Sequence, residues 1–382
     1  MSLRFVTIAD IHIGKKDTRS LEKELDKYFF DKINEIDSEK KIDIIFIAGD
    51  LFDRILKLNE SAGVLAIEFM NNLLKIADDK NILVRLLKGT RTHDFNQLNI
   101  FSDKELEYPL IFKIIQSVTV EDLSIKSKPK ILYLPEEYPM DFNNFYDKYL
   151  EVENNYYDII IGHGMSDFVA FTPDEDDSEN PVRSAPTFNS SKLMKICKGP
   201  IIFGHIHDNK EYKNKFYYTG SFSRYSFKDT NDKGYYLTDM DSEGKFEMRF
   251  IQNEMAPTYV TVDMDEYENL TEEKKIDIIK ELKEENDYVR FKSSDKSSID
   301  IIKKLSENDS NVKVVYDNKN IEQVKIDEKY RFILDKEFDV DETIKRFIKL
   351  KKDKDIDLSD IQNIIKKDKD DLINIGSEDK VE

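Results

Sequence analysis

The sequence has very little cysteine: Cys197 is the single thiol among 382 residues. One thiol cannot form an internal disulfide, so a secreted fold held together by disulfides is excluded and a reducing compartment fits. We predict that Cys197 is a small buried core residue. Long apolar runs are lacking too, since no stretch approaches the ~18 uninterrupted apolar residues that a membrane helix needs. We therefore expect a soluble, cytoplasmic protein without membrane contacts.

The sequence also lacks an excess of basic charge. Its 59 Lys and Arg residues face 78 Asp and Glu residues, which gives a net charge of −19. This excludes a protein that coats polyanions through blanket positive charge, so any contact with nucleic acid must be local, metal-mediated or shared with a partner. With 39% hydrophobic and 11% aromatic residues, full-length disorder is excluded.

The first two thirds of the chain alternate apolar runs with amphipathic stretches. Near-continuous apolar runs predict strands that are covered on both faces. These runs are Leu3–Ala9, Ile42–Ala48, Ile82–Leu87, Ile131–Leu134, Ile159–Ile161 and Ile201–Phe203. The spacing of apolar residues from Ala62 to Ile76 predicts a helix. Three shorter and more aromatic runs predict an antiparallel sheet that closes an α/β domain: Phe216–Tyr218, Tyr235–Leu237 and Phe246–Ile251.

Beyond about residue 257 the pattern changes. Alternating strand and helix patterns predict a small α+β domain, from the runs Tyr259–Met264, Thr271–Glu284, Tyr288–Phe291, Ser298–Leu305 and Val312–Tyr316. Residues 336–382 instead predict two short amphipathic helices and a charged, disordered end. Their apolar face either docks on a partner or folds back on its own chain. The acidic residues from Asp174 to Glu179 predict a solvated loop.

All five histidines occur at or close to predicted strand ends. They are His12, His93, His163, His205 and His207, and Asp10 and Asp50 share this position. The carboxyl ends of parallel strands converge on one crevice, so side chains distant in sequence meet there. Asp-x-His and His-x-His pairs also project alternate side chains to the same side. Several imidazoles with two carboxylates suit manganese, iron or zinc better than magnesium or calcium.

The order Asp-x-His, Gly-Asp, His-Asp, Gly-His and Gly-His-x-His resembles the calcineurin-like metallophosphoesterase family over residues 1–255. The resemblance implies a sandwich of two mixed sheets flanked by helices, and two divalent metal ions. The implied ligands are Asp10, His12 and His207 for one ion, His163 and His205 for the other, and Asp50 for both. It also implies that His93 protonates the leaving group or steadies the phosphate, with Asp94 orienting His93.

One loop departs from the family, which usually has Gly-Asn-His-Asp with the Asn on the second metal. Here the loop reads Gly89-Thr90-Arg91-Thr92-His93-Asp94. Counting back from His93 puts Thr92 at the Asn position, whereas counting on from Gly89 puts Thr90 there. In either case a hydroxyl replaces an amide carbonyl, so we predict that the second metal is held more weakly than the first. Arg91 is a candidate for contacting the substrate phosphate.

Three segments resemble one branch of that family, the SbcD-type DNA repair nucleases: Ile8–Gly14, Gly49–Asp53 and Tyr218–Ser221. The resemblance implies a manganese-dependent DNA exonuclease and endonuclease in DNA repair or recombination, in a bacterial cell or a phage-infected host. It also implies a homodimer bound to an SMC-like coiled-coil ATPase of the SbcC type. Residues 256–335 would form a capping, DNA-binding domain and residues 336–382 the ATPase-docking segment. Ser221 and Arg224 are candidate substrate contacts.

Two alternatives stay open. The metal motifs serve the whole family, so a stand-alone phosphodiesterase or phosphatase acting on small nucleotides fits them as well. The threonine in the metal loop also suits a catalytically weak scaffold for the ATPase, although the retention of all five histidines argues against that.

Overall fold

A computed structural model of the chain describes residues 2–125, 128–139, 142–151, 156–169, 187–307 and 309–316. The strands are β1 (Leu3–Ile8), β2 (Ile44–Ala48), β3 (Leu83–Leu87), β4 (Phe112–Ile115), β5 (Thr119–Asp122), β6 (Lys130–Leu134), β7 (Ile159–His163), β8 (Met165–Ser166), β9 (Thr187–Phe188), β10 (Ile201–Gly204), β11 (Lys210–Tyr212), β12 (Phe216–Tyr218), β13 (Gly234–Met240), β14 (Phe246–Gln252), β15 (Tyr259–Asp263), β16 (Tyr288–Ser293) and β17 (Val312–Tyr316). The predicted acidic loop at 174–179 and the predicted helices of 336–382 lie outside the described residues.

The helices follow the same chain order. They are α1 (Thr18–Leu25), α2 (Asp31–Glu39), α3 (Ser61–Lys80), α4 (Ser102–Glu107), α5 (Phe142–Leu150), α6 (Ser190–Ile196), α7 (Glu272–Glu285) and α8 (Lys296–Leu305). A π-helical turn at Asp26–Phe30 joins α1 to α2. Helix α1 begins where the Asp17 carboxylate accepts a hydrogen bond from the backbone N–H of Ser20. Helix α3 ends at Asn81, whose left-handed backbone stops the helix.

Two six-stranded mixed sheets form the first part of the molecule. The first has the order β14-β13-β1-β2-β3-β4, and the second has the order β11-β12-β10-β7-β6-β5. In each sheet four neighbouring strands run parallel, β1 to β4 in one and β12, β10, β7 and β6 in the other. Antiparallel strands close the edges, with β13 pairing β1 and β5 pairing β6.

The two sheets pack face to face, with helices outside. Phe46 of the first sheet contacts Tyr133 of the second within a buried cluster between the sheets. Helix α3 covers the outer face of the first sheet, where Phe69 is buried, and helix α6 covers that of the second, where Leu193 is buried. Strands covered on both faces explain the near-continuous apolar runs. The predicted α/β class with two mixed sheets flanked by helices is confirmed.

One predicted pairing is wrong. The sequence pattern predicts that Phe216–Tyr218 joins the two runs that follow it in a closing antiparallel sheet. Instead β12 pairs parallel with β10 in the second sheet, whereas β13 and β14 extend the first sheet beside β1. Short aromatic strands separated by turns look alike in sequence, and the partner is chosen by which sheet edge is open.

A smaller parallel sheet follows, with the order β15-β16-β17. Its strands alternate with α7 and α8, and Val262, Ile279, Phe291 and Ile302 bury a separate hydrophobic cluster. The ring of Phe227 lies 5.2 Å from that of Tyr259 and 4.7 Å below the Arg290 guanidinium. This contact joins the small sheet to the loop that leads into β13.

Two further expectations concern single features. Cys197 is 2% exposed and belongs to the cluster between the second sheet and its helices, so the prediction of a buried core residue is confirmed. None of the described helices has both the length and the apolar character needed to cross a membrane.

Candidate metal centre

The candidate ligands lie at the carboxyl ends of parallel strands from both sheets. Asp10 and His12 follow β1 and Asp50 follows β2, whereas His163 ends β7 and both His205 and His207 follow β10. Since the two sheets pack face to face, these ends meet at one edge of the sandwich. The structure brings together six residues spread over nearly 200 positions.

The backbone at this edge is strained. Asp10, His12, Asp50 and His205 all have positive φ angles, of 52°, 46°, 51° and 94°. Non-glycine residues rarely adopt this left-handed region, and each costs roughly 1–3 kcal/mol. Such strain persists where the surrounding structure imposes it, and it clusters at functional sites.

The first metal group consists of Asp10, His12 and His207. One ligand atom from each lies within 4.8 Å of the others, and all three residues are buried or half-buried. The Nε2 atoms of His12 and His207 are 2.9 Å apart, and His12 Nε2 lies 4.0 Å from Asp10 Oδ1. The Asp10 carboxylate also accepts the backbone N–H of His205 at 3.0 Å, which fixes its orientation.

The second metal group consists of Asp50, His163 and His205, which satisfy the same 4.8 Å criterion. Nδ1 of His163 donates a hydrogen bond to the carbonyl oxygen of Ala48 at 2.8 Å. A carbonyl oxygen only accepts, so Nδ1 carries the proton and Nε2 is left to act as a ligand. This Nε2 lies 3.2 Å from Asp50 Oδ2.

Asp50 connects the two groups. Its Oδ2 atom is 3.2 Å from His163 Nε2 and 3.9 Å from His12 Nε2. Burial alone would raise the pKa of Asp50, but the charge and hydrogen bond of His163 outweigh it and hold that pKa well below its usual range. Asp50 is therefore an ionised carboxylate between two sets of imidazole nitrogens.

The two candidate threonines lie in different places. Thr90 Oγ1 donates a hydrogen bond to Asp50 Oδ2 at 3.1 Å, and it lies 3.3 Å from both His163 Nε2 and His205 Nδ1. Thr92 is exposed. The structure therefore brings Thr90, and not Thr92, to the second metal group, so the two additional residues of this loop come after the ligand position.

His93 lies beside the first metal group, with its ring centroid 4.7 Å from that of His12. Its Nδ1 donates a hydrogen bond to the carbonyl oxygen of Asp53, which leaves Nε2 free. The interpretation that Asp94 orients His93 needs correction. The Asp94 carboxylate instead accepts backbone N–H groups of Gly89, Asp50 and Phe52. It holds the metal loop in place, and burial raises its pKa to about 7.

The candidate substrate contacts are engaged elsewhere. Ser221 is fully buried, and its hydroxyl donates to the carbonyl oxygen of Ser223 at 2.8 Å. Arg224 donates to the carbonyl oxygen of Ala256 at 3.2 Å, in the segment before the small sheet. Arg91 is exposed, and its guanidinium lies 5.8 Å from the centre of the Phe95 ring.

Two acidic residues at the centre were missed from sequence. Asp229 Oδ1 lies 3.6 Å from His207 Nδ1, and buried Lys233 bonds both Asp229 and the carbonyl oxygen of His207. Glu136 is 1% exposed and lies 3.2 Å from His205 Nδ1. Glu136 follows the predicted strand Ile131–Leu134, so the signal that identified Asp10 and Asp50 also applied to it.

The donors fit two divalent ions. Each group combines imidazole nitrogens with carboxylate oxygen, the mixture that manganese, iron and zinc accept. The His163 ring is fixed from behind by a carbonyl, as metal-binding imidazoles usually are. The two facing Nε2 atoms of the first group give a divalent ion two lone pairs from opposite strands.

Comparison with known proteins agrees with this geometry. The family model described as calcineurin-like phosphoesterase matches residues 3–209. The chain is similar to the protein named as the SbcD subunit of nuclease SbcCD from Staphylococcus epidermidis, with 26% identity over 314 residues, 77% of this chain and 80% of that protein. It is 22% identical to the protein of the same name from Staphylococcus saprophyticus over 76% of this chain and 78% of that protein. The chain belongs to the calcineurin-like phosphoesterase family.

Proposed function

We propose that this chain is a metal-dependent DNA nuclease, acting as a manganese-dependent exonuclease and endonuclease. The observation that carries the proposal is the position of Asp50, whose Oδ2 lies within 3.9 Å of nitrogens from both metal groups. One shared carboxylate sets two cations close together, as enzymes that hydrolyse phosphodiesters require. The two relatives, both named as parts of a nuclease, favour DNA as the substrate.

The residues divide the work of hydrolysis. Two bound divalent ions would supply positive charge to the phosphodiester and lower the pKa of the attacking water. Asp10, Asp50 and the four histidines of the two metal groups hold them. His93, with Nδ1 held by the Asp53 carbonyl, presents Nε2 to the leaving oxygen and donates a proton to it.

The acidic net charge is compatible with DNA cleavage. Two divalent ions concentrate up to about four positive charges at the scissile phosphate, where they outweigh remote acidic residues. A partner can supply the basic surface along the remaining DNA. We infer that this partner is an SMC-like coiled-coil ATPase of the SbcC type, in a cytoplasmic complex for DNA end processing, repair or recombination, since both relatives are named as components of SbcCD.

The domain roles belong to the same proposal. Residues 256–335 act as a capping, DNA-binding domain, residues 336–382 dock on the ATPase, and the chain is a homodimer. Light scattering of the purified chain tests the dimer. Deletion of residues 336–382 tests docking, because it should abolish ATPase-dependent activity while hydrolysis of a small diester continues. A stand-alone enzyme would be unaffected by the deletion.

The test of the activity is cleavage by the purified full chain with Mn²⁺. Linear duplex DNA and circular single-stranded DNA distinguish exonuclease from endonuclease activity, and bis-p-nitrophenyl phosphate reports the metal centre alone. Cutting of DNA that is lost in His163→Ala supports the proposal. Hydrolysis of the small diester without any cutting of DNA, also in the presence of the ATPase, would instead identify a stand-alone phosphodiesterase. Inactivity on every substrate, with or without the ATPase, would favour the scaffold.

A further inference from the structure

Glu136 is a buried acid at the second metal group. It follows β6, and its side chain has no exposed surface. Oε2 lies 3.2 Å from His205 Nδ1 and 3.4 Å from Thr90 Oγ1. The other oxygen, Oε1, accepts a hydrogen bond from the hydroxyl of Tyr138. The carboxylate is therefore held with one oxygen turned to the metal group.

The described residues give Glu136 no basic counter-ion. Its contacts in that part of the chain are to His205, Thr90 and Tyr138, and no Lys or Arg side chain forms an ion pair with it. Burying a carboxylate without a compensating cation is unfavourable, and buried carboxylates are usually paired or bound to metal. The environment of Glu136 is thus one that a metal ion would complete.

The position of Thr90 shows where the donors converge. Its hydroxyl oxygen lies 3.1 to 3.4 Å from four other donor atoms, which come from four separate segments of the chain. These atoms are Asp50 Oδ2, His163 Nε2, His205 Nδ1 and Glu136 Oε2. Three of them are the second metal group, and the fourth is the Glu136 oxygen.

We propose that Glu136 is a direct ligand of the second metal ion and takes the place of the amide that this loop lacks. The proposal rests on the metal centre of the proposed function, but not on DNA as the substrate. Thr90 is too short to replace an asparagine amide, and Glu136 reaches the same point from β6 of the other sheet. The replacement also adds one negative charge to the site.

The added charge changes what we expect of the second ion. A neutral hydroxyl in place of an amide predicts weaker binding, as the loop sequence suggested. Two carboxylates and two imidazoles, by contrast, form a donor set that suits Mn²⁺ or Fe²⁺. The second ion is therefore held by Asp50, His163, His205 and Glu136, with affinity that depends on the Glu136 charge.

The test is the binding of Mn²⁺ to the full chain, measured by calorimetry and by the metal content after desalting. Glu136→Gln removes the charge with almost no change in shape. Glu136→Asp keeps the charge but withdraws it by one methylene. Glu137→Gln is the matched control, because the Glu137 carboxylate only accepts the backbone N–H of Val118. Thermal unfolding followed by circular dichroism verifies that each variant is folded.

We expect the unmodified chain and Glu137→Gln to bind two Mn²⁺ ions. Glu136→Gln and Glu136→Asp should keep the first ion and bind the second at least about tenfold to a hundredfold more weakly. Adding Thr90→Asn to Glu136→Gln restores an amide ligand and should recover the second ion. Recovery separates a ligand from a residue that only orients His205.

Unchanged affinity for both ions in Glu136→Gln would overturn the proposal. So would a normal second ion in Glu136→Asp, because a charge acting at a distance tolerates the shorter side chain and a ligand does not. Either result would leave the proposed nuclease intact, since DNA cleavage is measured separately. If instead the unmodified chain bound no Mn²⁺, the metal centre itself would be refuted together with the proposed function.

Discussion

Nδ1 of His163 donates a hydrogen bond to the carbonyl oxygen of Ala48 at 2.8 Å. Ala48 ends β2 of the first sheet and His163 ends β7 of the second, so this bond links the two sheets at the metal centre. Gly49 comes next, with a φ of +90°, and a Cβ atom there would lie 2.2 Å from His163 Nδ1. The missing side chain at position 49 is what allows the imidazole to reach the carbonyl.

The first prediction is that Gly49→Ala destabilises the protein and weakens the second ion. The methyl group would occupy the place of the His163 ring, and the left-handed backbone adds a cost of roughly 1–2 kcal/mol. Gly244→Ala is the control, because Gly244 has a similar φ of +86° in the turn before β14. We expect the free energy of unfolding in urea to fall by at least about 2 kcal/mol more in Gly49→Ala than in the control. Equal losses would show that backbone strain alone matters.

The second prediction concerns Asp94, whose carboxylate accepts three backbone N–H groups. Asp94→Asn replaces one accepting oxygen by an NH₂ group, which leaves at least one buried N–H without an acceptor. We expect the free energy of unfolding to fall by about 1–3 kcal/mol. If Asp94 instead served His93 chemically, Asp94→Asn would reduce the rate of cleavage without affecting stability. Urea unfolding beside the rate of diester hydrolysis distinguishes the two.

Strand ends were the part of the site that the sequence could predict. Asp10, Asp50 and His163 come directly after or within apolar runs, and parallel strands bring such ends together whatever their order in the sheet. Glu136 carried the same signal after Ile131–Leu134 but lacked a neighbouring histidine or glycine to single it out. An acid after a strand is common on surfaces, so only its burial identifies it.

Pairing and loop geometry could not be predicted. The partner of Phe216–Tyr218 depends on which sheet edge is free, and this edge forms only in the folded molecule. Counting residues could not choose between Thr90 and Thr92, because the loop gains its extra residues at an undefined point. The choice is made by three-dimensional contacts, above all the hydrogen bond from Thr90 to Asp50.

The third prediction is that Cys197 does not react in the folded protein. Its sulfur lies among the carbonyl oxygens of Gly199, Pro200 and Asp158, and burial raises the pKa of the thiol to about 12. Since the thiolate is the reactive form, its fraction at pH 8 falls by about a thousandfold relative to an ordinary thiol. Mass spectrometry should detect labelling by iodoacetamide in guanidinium chloride but not in buffer. Rapid labelling of the native chain would contradict this prediction.

The fourth prediction separates proton donation from metal binding at His93. His93→Gln keeps a polar side chain but cannot protonate a leaving group. We expect both Mn²⁺ ions to remain bound, while kcat for DNA cleavage falls by about 10²–10⁴ and KM changes little. Bis-p-nitrophenyl phosphate should lose much less activity, because p-nitrophenolate leaves readily without a proton.

Thr92→Ala is the matched control for His93→Gln, since Thr92 is exposed in the same loop. It should retain full activity on both substrates. An equal loss on DNA and on the p-nitrophenyl diester in His93→Gln would mean that His93 acts on the phosphate and not on the leaving oxygen. Loss of an ion would have another meaning, because the ligand atoms of His93, His12 and Asp50 lie within 4.8 Å of one another. In that case His93 would itself be a metal ligand, and the proton would have to come from a different group.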